Sequence, residues 1–171
     1  MGLDVSLILE VRQSASDQWQ GFYPKLLGIN ESLTRDYDFL KALGVYPDQI
    51  ESHPLKIQRG LPPDASDLTL QASCHLVFRS GGISADVNAD DGIEADGPTR
   101  IVTKRGVRFT YCTKGFCRNH TWMSYGEVVE SLEHHGLDPD SIAAGYKKLL
   151  QRADWFEKKG FETRLICWVC N

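Results

Sequence analysis

Apolar and polar positions alternate at the start of the chain. "GLDVSLILEVR" (2–12) sets Leu3, Val5, Leu7, Leu9 and Val11 on one side and Asp4, Ser6, Glu10 and Arg12 on the other, with Ile8 the exception. Period two with one apolar side predicts a strand with a single buried face. The spacing then becomes helical: in "NESLTRDYDFLKALGV" (30–45), Leu33, Tyr37 and Leu40 recur on one stripe and Phe39 and Leu43 widen it. Gly44 is placed to stop this helix, and Asp36 falls in its first turns, where the helix dipole favours an anion. Residues 46–67 contain Pro47, Pro54, Pro62 and Pro63 and predict an irregular connection. "CHLVFRS" (74–80), "TRIVTK" (99–104) and "VRFTYCT" (107–113) predict three more strands, the last two joined across Arg105 and Gly106.

The C-terminal third carries the clearest signals. Ser124 and Glu127 have capping-box spacing, and Tyr125, Val128, Val129 and Leu132 form one apolar face ending at Gly136 and Leu137, a Schellman pattern. A second helix is predicted from Asp138 as cap and Pro139 as first residue, with Ile142, Tyr146, Leu149, Leu150, Ala153 and Phe156 on its buried stripe. "ETRLICWVC" (162–170) has large or apolar groups on both faces, as a central strand requires. The expectation is one α+β domain over 1–171, built on a single mixed or antiparallel sheet. Helices pack on one face, and a C-terminal αα-hairpin leads into the final strand. An acidic loop rich in Gly and Asp interrupts it at about 80–99.

Composition narrows the class. A chain of 171 residues, 42% hydrophobic and 25% charged, can bury a core without disulfide support. No apolar run reaches the ~20 residues of a membrane span, and the N-terminus lacks the cationic region of a secretory signal. A cytoplasmic location, with no membrane partner, is expected. Five cysteines, an odd number, suit free thiols in a reducing compartment. Of the net charge of −4, "SGGISADVNADDGIEADGPT" (80–99) supplies four Asp and one Glu with no Lys or Arg, so the remainder is nearly neutral. That balance argues against a nucleic-acid partner, which selects for a basic surplus.

Candidate chemistry begins with the thiols. Cys112, Cys117, His120, Cys167 and Cys170 could supply a tetrahedral zinc site. Opposing this, residues three apart on a strand face opposite ways, which separates Cys167 from Cys170, and buried free thiols are common core residues. No cofactor is expected, with zinc as the metal alternative. "DVNADDG" (86–92) resembles a calcium loop, but its glycine is one position late and Gly97 stands where a bidentate Glu belongs, so a solvated loop is the expectation. Phosphate-loop and nucleophile-elbow motifs are absent from the sequence.

"GLDVSLILEVR", "TRDYDFLKALGV", "RGLPPDAS", "HTWMSYGEV" and "RLICWVCN", in that order, resemble an uncharacterised family of small bacteriophage- and prophage-encoded proteins. That family's pattern places histidines where this chain has Ser6 and Arg118. The resemblance implies a phage setting in a host cytoplasm, and it implies that any histidine-dependent site is altered here, with His120 nearby. Within the matched motifs Arg35, Asp36, Asp38, Arg59 and His120 are polar groups beside apolar positions, and they form the candidate ligand-binding set. Arg59 either anchors its loop to Asp36 or Asp38 or lines a cleft for an anionic ligand.

The leading functional expectation is a non-catalytic accessory protein that binds and sequesters or inhibits a host protein or an anionic, nucleotide-like small molecule. The alternatives are a small hydrolase using His120 with Asp36 or Asp4, and a zinc-stabilised interaction module.

Overall fold

A computed structural model of the protein describes residues 4–30, 33, 36–45, 53, 59–80, 99–104, 107–113 and 117–170. The first strand, β1 (Asp4–Arg12), follows the predicted alternation. It lies between a short edge strand, β2 (Gln20–Phe22), and the last strand of the chain, β7 (Glu162–Cys170). With β6 (Cys117–Ser124) on the far side of β7, the order is β2-β1-β7-β6, antiparallel throughout. β7 is therefore central, and each of its faces has a distinct chemistry.

One face is apolar. Leu7, Leu9 and Val11 of β1 join Leu165, Cys167 and Val169 of β7 and Met123 of β6 beneath three helices. These are α1 (Tyr37–Ala42), α3 (Tyr125–His134) and α4 (Ala144–Lys158). They contribute Phe39, Leu40, Val128, Leu132, Tyr146 and Leu149 to the core, all essentially without solvent exposure. The other face carries Ile8, Ile166 and Trp168, packed by Leu61, Trp122, and Leu68 and Ala72 of a further helix, α2 (Asp67–Ser73). Helices thus lie on both faces of the sheet, where the sequence predicts one. The prolines at 62 and 63 hide α2, but Ser66 starts it: Thr69 N donates to Ser66 Oγ at 3.2 Å.

The single sheet expected from sequence is also corrected. β3 (Cys74–Ser80), β4 (Thr99–Lys104) and β5 (Val107–Thr113) form a separate antiparallel sheet, order β3-β5-β4. β3 follows α2 without a break, so the second sheet is tethered to the helix covering the second face. Residues 81–98, with the acidic segment and its calcium-like "DVNADDG", lie outside the described residues. Among the described residues, no helix is long and apolar enough to cross a membrane.

Helix ends divide between expected and unexpected. Ser124 and Glu127 form the predicted capping box. Gly136, at φ 64°, ends α3 with Leu137 N donating to Leu132 O at 2.9 Å, the Schellman pattern. Asp138, however, does not cap α4; its Oδ1 accepts from Asp140 N at 2.8 Å within a turn, and α4 begins at Ala144. The cap of α4 comes from elsewhere. Asp36 accepts from Phe39 N at 3.0 Å through Oδ1 and from Ala143 N at 2.8 Å through Oδ2, serving α1 and α4 together.

Asp36→Ala should therefore lower unfolding free energy in denaturant by about 1–3 kcal/mol, more than one exposed cap contributes. Asp36→Asn, which keeps a single acceptor oxygen, should fall between. A loss for the alanine variant below about 0.5 kcal/mol would contradict the shared-cap role.

Candidate binding groove

The face under α2 carries two charges that an apolar sheet should not tolerate. Glu10 and Arg164 are Cα partners on β1 and β7, so their side chains emerge side by side. The Glu10 side chain has 0% exposure and that of Arg164 5%. Arg164 Nε donates to Glu10 Oε2 at 2.8 Å, and Nη2 lies 2.7 Å from the same oxygen. Nη1 reaches Asp64 Oδ1 at 2.7 Å and Nη2 the Asp64 carbonyl at 3.2 Å. The other Glu10 oxygen accepts from Ser66 N at 2.7 Å and Thr69 Oγ1 at 2.6 Å. Removing two charges from water costs several kcal/mol each, and only such complete hydrogen bonding offsets it. On its other side Glu10 is opposite Gly21 of β2. A Cβ there would lie 2.5 Å from Ser66 Oγ, so glycine is what lets the start of α2 descend onto the carboxylate.

From Arg164 a chain of cation–aromatic contacts runs in both directions. Its guanidinium carbon lies 4.0 Å from the Trp19 ring centre and 5.5 Å from that of Trp122. Arg12 lies 4.4 Å from Trp19, and Arg59 lies 4.7 Å from Trp122. The sequence along this chain is Arg12, Trp19, Arg164, Trp122, Arg59. Each guanidinium also has a carboxylate. Arg12 donates to Glu162 Oε2 at 2.8 and 2.5 Å. Arg59 places a two-pronged fork on Glu127 at 2.9 and 2.5 Å. Trp19 Nε1 donates to Asp64 Oδ2 at 2.9 Å.

Two carboxylates, Asp64 and Glu162, are the more exposed members of the ion pairs they form here. Side-chain exposure is 51% for Asp64 and 49% for Glu162, against 19% for Arg12. Two confluent hollows of about 530 and 970 Å³ share Arg12, Trp19, Pro63 and Asp64. Their ionic lining comprises Asp17, Asp64, Asp67, Glu157 and Glu162 against Arg12 and Arg164, so the groove is acidic. Burial opposes charge on Asp64, but hydrogen bonds from Arg164 and Trp19 outweigh it and hold the carboxyl below its ordinary value of 3.8. Glu127 is held below 4.5, chiefly by its hydrogen bond from Arg59.

The sequence-derived set does not assemble into one site. Arg35 lies outside the described residues. Asp36 is the double cap in the helix layer, and Asp38 is exposed in the first turn of α1. Arg59 does anchor its loop, but to Glu127 and Trp122, neither Asp36 nor Asp38. His120 stacks on Trp168 at 5.7 Å between ring centres, on the face away from Asp36, which separates the proposed hydrolase pair; the Asp4 side chain is outside the described ones.

The thiols are likewise dispersed. Cys112 is on β5 of the second sheet, opposite Thr99 and His75, whereas Cys117 and Cys170 are Cα partners at the end of the first. Cys167 lies in the core under the helices, where burial pushes its thiol up to about 12, far from a ligating thiolate. Among the described residues, no three His, Cys, Asp or Glu side chains are grouped to hold a metal ion.

Sequence reasoning missed Glu10, Trp19, Asp64 and Arg164. A usable signal existed in the two charges lodged inside otherwise apolar strands, "LILEVR" and "TRLICWV". Compared with protein-family models, curated proteins and solved structures, the chain matches none.

Among the described residues, three partly or fully buried groups contribute to the acid response. His53 is buried, donates from Nε2 to Ala42 O at 2.8 Å, and is held below its ordinary 6.5, mainly by burial. For all three the unfolded chain takes up protons first, so stability falls with pH: below 6.5 for His53, below 4.5 for Glu127 and below 3.8 for Asp64. Thermal midpoints measured from pH 7 to 3 should fall across these windows. Arg59→Met should flatten the middle window because Glu127 loses its partner; an unchanged profile would contradict the assignment.

Proposed function

We propose that the protein is a non-catalytic accessory protein, phage- or prophage-encoded, that binds and occupies a basic segment of a host protein through this groove. One observation carries the reading: the guanidiniums are already engaged by carboxylates, whereas Asp64 and Glu162 keep about half of their side chains open to solvent. Capturing a phosphate would require Arg12 to release Glu162, Arg59 to release Glu127 and Arg164 to release Glu10. Capturing Lys or Arg leaves those pairs in place, because the partner's cation approaches the exposed half of Asp64 and Glu162. The motif resemblance to phage proteins supports a host protein as the source of that segment. An anionic, nucleotide-like ligand is the competing class.

Hexa-arginine and ATP distinguish the two when titrated separately against tryptophan fluorescence. Hexa-arginine should bind saturably and weaken with added salt, and Glu162→Gln combined with Asp67→Asn should weaken it by about tenfold. Saturable ATP binding that Arg12→Ala abolishes, with no response to hexa-arginine, would overturn the proposal.

A further inference from the structure

The larger of the two confluent hollows, about 970 Å³, is lined without interruption by residues 17–22, and so by every residue of β2. Successive side chains of a strand point to opposite faces of its sheet. A hollow on one face of β2 would therefore meet alternate residues, whereas one that meets Gln20, Gly21 and Phe22 together lies along the strand's edge. The inner edge of β2 is taken by β1. β2 is the last strand on that side of the sheet, and among the described residues Gln20, Gly21 and Phe22 make no main-chain hydrogen bond outside the ladder with β1. The hollow thus follows the outer edge, where a strand presents N–H and C=O groups ready to pair with another chain.

Charge selects what can pair there. Asp17 precedes β2, Asp64 and Asp67 lie on the wall formed by residues 63–68, and all three are exposed. The cation of the lining is Arg12, which Glu162 engages. A second copy of the chain, added edge to edge about a two-fold axis, would bring the same carboxylates against one another. A basic segment would bring its cations to them.

We infer that the basic partner segment binds in extended form as an added strand, its main chain paired with the outer edge of β2. The inference rests on the basic-segment reading of the groove and adds to it a conformation. Main-chain hydrogen bonds would hold the segment, and every second Lys or Arg would face the wall that carries Asp64 and Asp67. Pro24, which opens the short helix after β2, limits the pairing to a few residues.

Hexa-arginine and the same peptide N-methylated at every internal residue test it, because methylation removes the main-chain donors and keeps the charge. In titrations of the ¹⁵N-labelled protein the unmethylated peptide should bind at least about tenfold tighter, the effect of on the order of two main-chain hydrogen bonds. It should also slow amide hydrogen exchange at one or more of Gln20, Gly21 and Phe22. Equal affinities, with exchange at residues 20–22 unchanged, would overturn strand addition while sparing the acidic groove. No binding of either peptide would overturn both. Protection at residues 20–22 that grows with protein concentration in the absence of peptide would assign the edge to a second copy of the chain and overturn the inference.

Discussion

The buried pair of Arg164 and Glu10 organises the second face of the sheet. Neighbouring positions on β1 and β7 are filled by Ile8, Ile166 and Trp168, so two charges here have no water to fall back on and must be satisfied by protein. Each oxygen and nitrogen used recruits another part of the chain. Glu10 fixes the start of α2 through Ser66 and Thr69, and Arg164 fixes the 59–66 segment through Asp64. Asp64 in turn holds Trp19, while Arg164 adjoins both tryptophans. The opposite face is covered chiefly by burial of helices of apolar periodicity, with Asp36 tying α1 to α4 and Ser131 tying α3 to Ala42 of α1.

That contrast explains what was legible in the sequence. β1, α3 and the central position of β7 follow from periodicity and capping residues, which are local signals. Gly136 and Leu137 end α3 as their types demand. The double cap by Asp36 was invisible because Ala143 is remote in sequence and offers no side chain to announce the bond. α2 is masked by the prolines before it. β6 is masked by "RNHT", a polar run whose alternation is broken by a shift in register between Arg118 and Thr121. The arginine set fared worst: Arg59 and Asp36 lie in neighbouring motifs yet serve different layers, and spacing along the chain carries no information about layers.

The same network decides the character of the groove. Three arginines on one face would by themselves suit a phosphate. In the fold each has a carboxylate and a tryptophan, and Asp64 and Glu162 keep about half of their side chains exposed. Partner preference follows from which charges are already spent, and that points to a cationic segment.

A double-mutant cycle on Glu10→Leu and Arg164→Met, followed by chemical denaturation, tests the organising role of the pair most directly. Each single change strands a buried charge and should cost about 3–5 kcal/mol, whereas the double variant should recover most of that loss. Losses additive to within about 0.5 kcal/mol would mean that the two residues act independently, and the second face would then be held by something other than their pairing.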